Sequence, residues 1–178
     1  MPKRKLATAA VALTAGSLLL AGGGQAVAAG AANPPAGEVS ASNCTAEDFA
    51  VTMRAQAEPG SFLLELRNGS DRTCEFGGWV RLTPQTAKGT PIEVPTDYVE
   101  VPGPPGVAEL APGETAYAGV RAEYGETDFV AVGFGATPAD TAGFSNVVVE
   151  GAGEPYPRLP ITSLRVGSVQ PTPDGVLL

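Results

Sequence analysis

The stretch CTAEDFAVTMRAQAEPGSFLLELRNGSDRTCEFGGWVRL, residues 44–82, decides the fold. Phe49, Val51, Met53 and Ala55 alternate with Thr52, Arg54 and Gln56. Phe62, Leu64 and Leu66 alternate with Leu63, Glu65 and Arg67. A period of two is the mark of a half-buried strand. Between the runs, Glu58-Pro59-Gly60-Ser61 is turn chemistry: proline presets one dihedral and glycine tolerates a positive one. Cys44 and Cys74, the only cysteines, lie fifteen residues to either side of Pro59. A hairpin folded at Pro59 brings them to the same end, where a disulfide needs Cα atoms about 5–6 Å apart. The alternative is a pair of buried free thiols.

The start of the chain bears on that choice. Lys3-Arg4-Lys5, the apolar run Leu6 to Ala21, and Ala26-Val27-Ala28 read as a secretory signal peptide cleaved near Ala28. The run is too short for a stable membrane span. Leu20-Ala21-Gly22 would open a lipoprotein box, but Gly23 stands where the lipidated cysteine would be, so the chain is expected unlipidated. Export to an oxidising compartment makes the disulfide the default.

Cleavage removes three basic residues and no acidic ones, leaving 8 against 19 and a net charge of −11. So acidic a surface repels phosphate backbones and excludes nucleic acid as an expected partner. Residues 29–42 read as a flexible Ala/Gly/Pro linker, 43–170 as the folded domain and 171–178 as a C-terminal tail.

Downstream, short apolar runs alternate with Pro and Gly turns. Trp79, Val80 and Leu82 form a strand ended by Pro84; Trp79 is expected in the core. Ile92, Val94, Tyr98, Val99 and Val101 give extended pieces broken by prolines. Thr115 to Ala122 places Ala116, Ala118 and Val120 on one face. Phe129 to Phe134, Val147 to Val149 and Ile161 to Val169 complete some eight strands; only Thr45 to Phe49 suggests a helical turn. The expected fold is all-β: a single immunoglobulin-like antiparallel β-sandwich with one disulfide.

Cys44-Thr45 at the start, Asn68-Gly69-Ser70, Cys74-Glu75-Phe76-Gly77-Gly78, and Leu110-Ala111-Pro112-Gly113-Glu114-Thr115-Ala116 occur in that order. In these segments the chain resembles a secreted actinobacterial family known as domain of unknown function 4232, over about Cys44 to Val169. The resemblance implies a secreted or envelope-attached β-sandwich with a structural cysteine pair, and no activity. Many members carry a second cysteine pair; here no cysteine follows Cys74.

The chain has no histidine, which closes Ser-His-Asp and Cys-His catalysis and His-ligated metals. With Cys44 and Cys74 paired, acid–base work falls to carboxylates alone. Glu123, Glu126 and Asp128 cluster around Gly125; a calcium loop is the sharp reading and a solvated acidic turn the favoured one. Asn43-Cys44-Thr45 and Asn68-Gly69-Ser70 fit the glycosylation pattern, the second being better explained as a turn. Leu159 to Ser163 approaches a sortase signal but lacks its glycine. The expectation is a non-enzymatic binding or interaction module without catalytic, metal or cofactor sites. Its partner would be a protein or an envelope component. Two alternatives stand beside it: an inhibitor of a secreted enzyme such as a protease, presenting the Pro-rich loop 101–107, and a carboxylate-only hydrolase.

Overall fold

The computed structural model describes residues 44–152 and 157–178. The expectations for the signal peptide, the linker and Asn43 lie outside them. Among the described residues the architecture is all-β, with a single 3₁₀ turn, Ala46–Asp48, at the entry. Nine strands follow: β1 (Phe49–Ala55), β2 (Ser61–Asn68), β3 (Cys74–Gln85), β4 (Thr96–Val99), β5 (Val107–Leu110), β6 (Thr115–Tyr124), β7 (Gly133–Ala139), β8 (Ser145–Glu150) and β9 (Ile161–Gly167).

The β1–β2 hairpin forms in the register its alternation demands, from Phe49 opposite Asn68 to Ala55 opposite Phe62. Phe49, Val51, Met53, Phe62, Leu64 and Leu66 all point inward and are buried. Gly60 sits at φ 81°, and the Ser61 N–H donates to the Glu58 carbonyl at 3.0 Å, closing the turn. In β6, Ala116, Ala118, Val120 and Ala122 form the buried face.

The strands are joined in one sheet, in the order β4-β9-β6-β2-β1-β8-β7-β3-β5. The sheet is mixed, not purely antiparallel as expected: β1 runs parallel to β8, and β4 parallel to β9. It coils until its two halves face each other across one core. Phe49 on β1 meets Phe76 on β3 edge to face, with ring centres 5.4 Å apart, although two strands separate β1 from β3 within the sheet. Beyond the end of β9, the Val169 N–H donates to the Gly78 carbonyl at 2.8 Å, stitching the halves together.

Two local expectations are corrected. β3 runs through Pro84 rather than ending there. The Pro84 carbonyl accepts the Ile92 N–H at 2.8 Å, on the side away from β7, so the missing proline N–H falls where no ladder bond is needed. The strand expected over 129–134 starts only at Gly133, and Phe129 lies outside it, 58% exposed. An apolar run sets a tendency to extend, not its register; here Phe134 takes the core position.

The C-terminal residues pack back onto the domain. Val176 is fully buried, and its carbonyl oxygen lies where a Cβ on Gly119 would stand. Only glycine permits this approach to β6. Among the described residues no helix is long and apolar enough to cross a membrane.

Candidate functional site

The segments that carry the family resemblance meet at one end of the domain. Cys44 and Cys74 form a disulfide with Cα atoms 5.6 Å apart, and both are buried. Beside it, Asn68 is fully buried and fully hydrogen-bonded. Its Nδ2 donates to the Arg72 carbonyl at 2.7 Å and to the Leu110 carbonyl at 2.8 Å. Its Oδ1 accepts from the Ser70 N–H at 2.9 Å and the Ser70 hydroxyl at 2.7 Å. Its backbone N–H donates to the Glu114 carbonyl, and its carbonyl accepts from the Gly113 N–H. One side chain thus ties the end of β2, the loop before Cys74, and the turn after β5. With both Nδ2 hydrogens committed in the interior, Asn68-Gly69-Ser70 is a structural turn.

The 3₁₀ turn is anchored at the same place. The Asp48 carboxylate accepts the Thr45 N–H at 2.8 Å and pairs with Arg72 at 2.9 Å, while the Asp48 carbonyl accepts the Gly69 N–H. The backbone hydrogen bond from Thr45, assisted by the Arg72 charge, holds the Asp48 carboxyl below the ordinary carboxylate range. A depressed folded pKa gives stability that is present above the unfolded pKa and is lost as pH falls through the folded one. Asp48→Asn is therefore expected to cost about 1 kcal/mol at neutral pH. It should also flatten the acid limb of a stability–pH curve followed by circular dichroism.

Trp79 is buried, as expected, and meets Tyr98 edge to face at 5.5 Å. The Tyr98 hydroxyl is the one buried side-chain polar atom among the described residues without a hydrogen-bond partner. Burial pushes its pKa up to about 12, against the opposing pull of Arg81. A raised folded pKa gives stability that is complete below the unfolded value near 10 and lost as pH rises toward 12. Tyr98→Phe removes an unsatisfied hydroxyl. It is expected to raise stability by about 1 kcal/mol and to remove the Tyr98 share of the alkaline loss.

Glu123 does not join Glu126 and Asp128 in a cluster. It lies near the end of β6 and pairs with Arg121 at 3.6 Å; Arg121 also holds Glu58 at 2.6 Å. Among the described residues no group of three or more His, Cys, Asp or Glu side chains could hold a metal ion. The loop 101–107 is pinned at both ends. The buried Ser168 hydroxyl lies 3.1 Å from the Val101 carbonyl and 2.6 Å from the Gly103 carbonyl, and the Gly78 N–H donates to the Gly106 carbonyl. Leu159 and Ile161, from the sortase-like stretch, are buried.

Among the grooves on the surface of the described residues, three are notable. One of about 440 Å³ runs beside β5, between Val107–Leu110 and the segment Val169–Pro171, with Ala116 among its lining residues. A second, about 320 Å³, lies over Gly133 and Asn146 on β7 and β8. The third, about 260 Å³, lies between Arg81–Pro84 and Pro91–Val94. Phe129, Phe144 and Val148 are large apolar side chains left exposed. Sequence reasoning missed the β5 groove, because its walls come from segments distant along the chain.

No curated protein and no solved structure matches the chain. Residues 44–173 match the family described as a domain of unknown function, DUF4232, and that span takes in the disulfide, the Asn68 turn and the Pro112-Gly113 turn. The chain belongs to this family, and the segments whose resemblance suggested it interlock around Asn68 and the Cys44–Cys74 bridge.

Proposed function

We propose that the protein is a secreted, non-catalytic binding module. The carrying observation is the groove beside β5, the largest of these three by volume, which is lined by the edge strand, Ala116 and the segment Val169 to Pro171. Such a surface offers contact area and main-chain hydrogen-bonding groups, which suits recognition. The residues 1–28 pattern and the disulfide support the extracellular placement.

The test is an affinity capture. The oxidised chain is immobilised and exposed to the producing cell's envelope and culture fluid, with the reduced and alkylated chain as control. The expected result is a partner retained by the oxidised form alone. Retention of nothing above the control overturns the reading.

A second reading, inhibition of a secreted enzyme, draws on the Ser168 anchoring of loop 101–107, which makes that loop rigid. It moves ahead if the captured partner is a protease that the chain inhibits.

A further inference from the structure

β5 is the last strand of the sheet and has a neighbour, β3, on one side only. Cys74 to Gly77 pair antiparallel with Leu110 to Val107, and the Gly78 N–H continues the ladder to the Gly106 carbonyl at 2.7 Å. In an antiparallel ladder, facing pairs alternate between exchanging backbone hydrogen bonds and pointing them away. Gly106, Ala108 and Leu110 therefore turn their backbone groups toward β3. Val107 and Glu109 turn theirs toward the open edge. Such a row of N–H and C=O groups is a template for another strand.

The open edge has chemistry on both faces. On the outer face Glu109 stands directly opposite Glu75, and both are exposed. The alternation makes this a non-hydrogen-bonded pair, the kind in which facing side chains lie closest. Like charges directly opposite destabilise a sheet. Neither carboxylate has a salt bridge among the described residues. A groove of about 440 Å³ runs along β5, lined by Val107 to Leu110 and, from elsewhere in the chain, by Ala116 and Val169 to Pro171, with no lining residue from β3.

We propose that the β5 edge is the recognition site, and that it takes an extended basic peptide segment as a tenth strand. The incoming backbone pairs with Val107 and Glu109. A lysine or arginine beside Glu109 completes a row with Glu75 and relieves the repulsion between the two carboxylates. Its apolar neighbours, pointing the other way, enter the groove. The partner is thus a chain with basic and apolar residues in alternation, drawn to an acidic protein.

This proposal rests on the binding-module reading, and the experiment separates the two. A phage library of random linear decapeptides is panned on the oxidised full chain. The expected result is enrichment of sequences that alternate Lys or Arg with apolar residues. The best peptide, made synthetically, is expected to raise the hydrogen-exchange protection of the Val107 and Glu109 amides at least tenfold. Glu109→Lys, which leaves the ladder intact, is expected to weaken its binding at least tenfold. Val107→Pro removes an edge N–H that makes no ladder bond, and should do the same. No enrichment, enriched peptides without alternating basic residues, or unchanged protection at Val107 and Glu109 would each overturn the proposal. If an envelope partner is captured equally by wild type, Glu109→Lys and Val107→Pro, the edge proposal falls and the binding reading stands. If capture and panning both yield nothing, both fall.

Discussion

Asn68→Ala is expected to lower the unfolding free energy by about 3 kcal/mol, a large share of the 5–15 kcal/mol typical of a domain. The side chain is fully buried and makes four hydrogen bonds. Truncation removes the donor from the Leu110 and Arg72 carbonyls and the acceptor from the Ser70 N–H. Stranding a buried polar group costs about 1–3 kcal/mol, which outweighs the modest net value of any single bond made. The bond to the Ser70 N–H is only part-buried, which limits the sum. Asn68→Asp tests the direction of the bonds: it keeps the acceptor for Ser70 but loses the donor to Leu110, and it places a charge in the interior. It is expected to be at least as damaging as alanine. Denaturant unfolding of the oxidised proteins measures both.

The second large effect is that of the disulfide. Replacing Cys44 and Cys74 together with serine is expected to cost about 3–4 kcal/mol, since the bridge closes a loop of 30 residues in the unfolded chain. Both sulfurs are buried, so two serines also leave polar hydroxyls in a site shaped for sulfur. The Ser70 hydroxyl lies only 3.5 Å from the Cys74 sulfur, so this loss and that of Asn68→Ala act on one cluster. The two sets of substitutions are therefore expected to be non-additive when combined. The denatured midpoint, with and without reductant, reports the first; the combined variant reports the second.

The parts legible in the sequence are those decided by neighbours along the chain. The β1–β2 hairpin follows from the alternation on either side of Pro59-Gly60, and its register is the one observed. The cysteine pair follows from the same fold-back. The reading of Asn68-Gly69-Ser70 as a turn holds because Asn68 Oδ1 accepts the Ser70 N–H two residues on. The buried face of β6 is written in its alternating alanines.

What was not legible depends on segments far apart. No local pattern states that Val51 will lie beside Val147 in parallel, or Thr96 beside Leu164. Long-range pairing is selected by the fit of the whole core. That Asn68 reaches the Leu110 carbonyl was invisible for the same reason, although both lie in segments singled out from the sequence. The acidic residues were legible only as a solvated turn, not in their pairing. Glu123 and Glu126 are close in sequence, yet β6 carries Glu123 into a pair with Arg121. Glu75 and Glu109, unremarkable in the sequence, end up face to face.

The segments around Asn68 and the Cys44–Cys74 bridge thus hold the fold together, while the proposed recognition site is the free edge of β5. One measurement separates the two roles most directly. Folded Asn68→Ala, held below its melting temperature with its circular dichroism unchanged, is used in place of wild type for capture from envelope and culture fluid. Retained proteins are quantified by mass spectrometry. Retention of the same partners in the same amounts is the predicted result. Loss of those partners by a folded Asn68→Ala would place recognition at the Asn68 cluster and contradict the account.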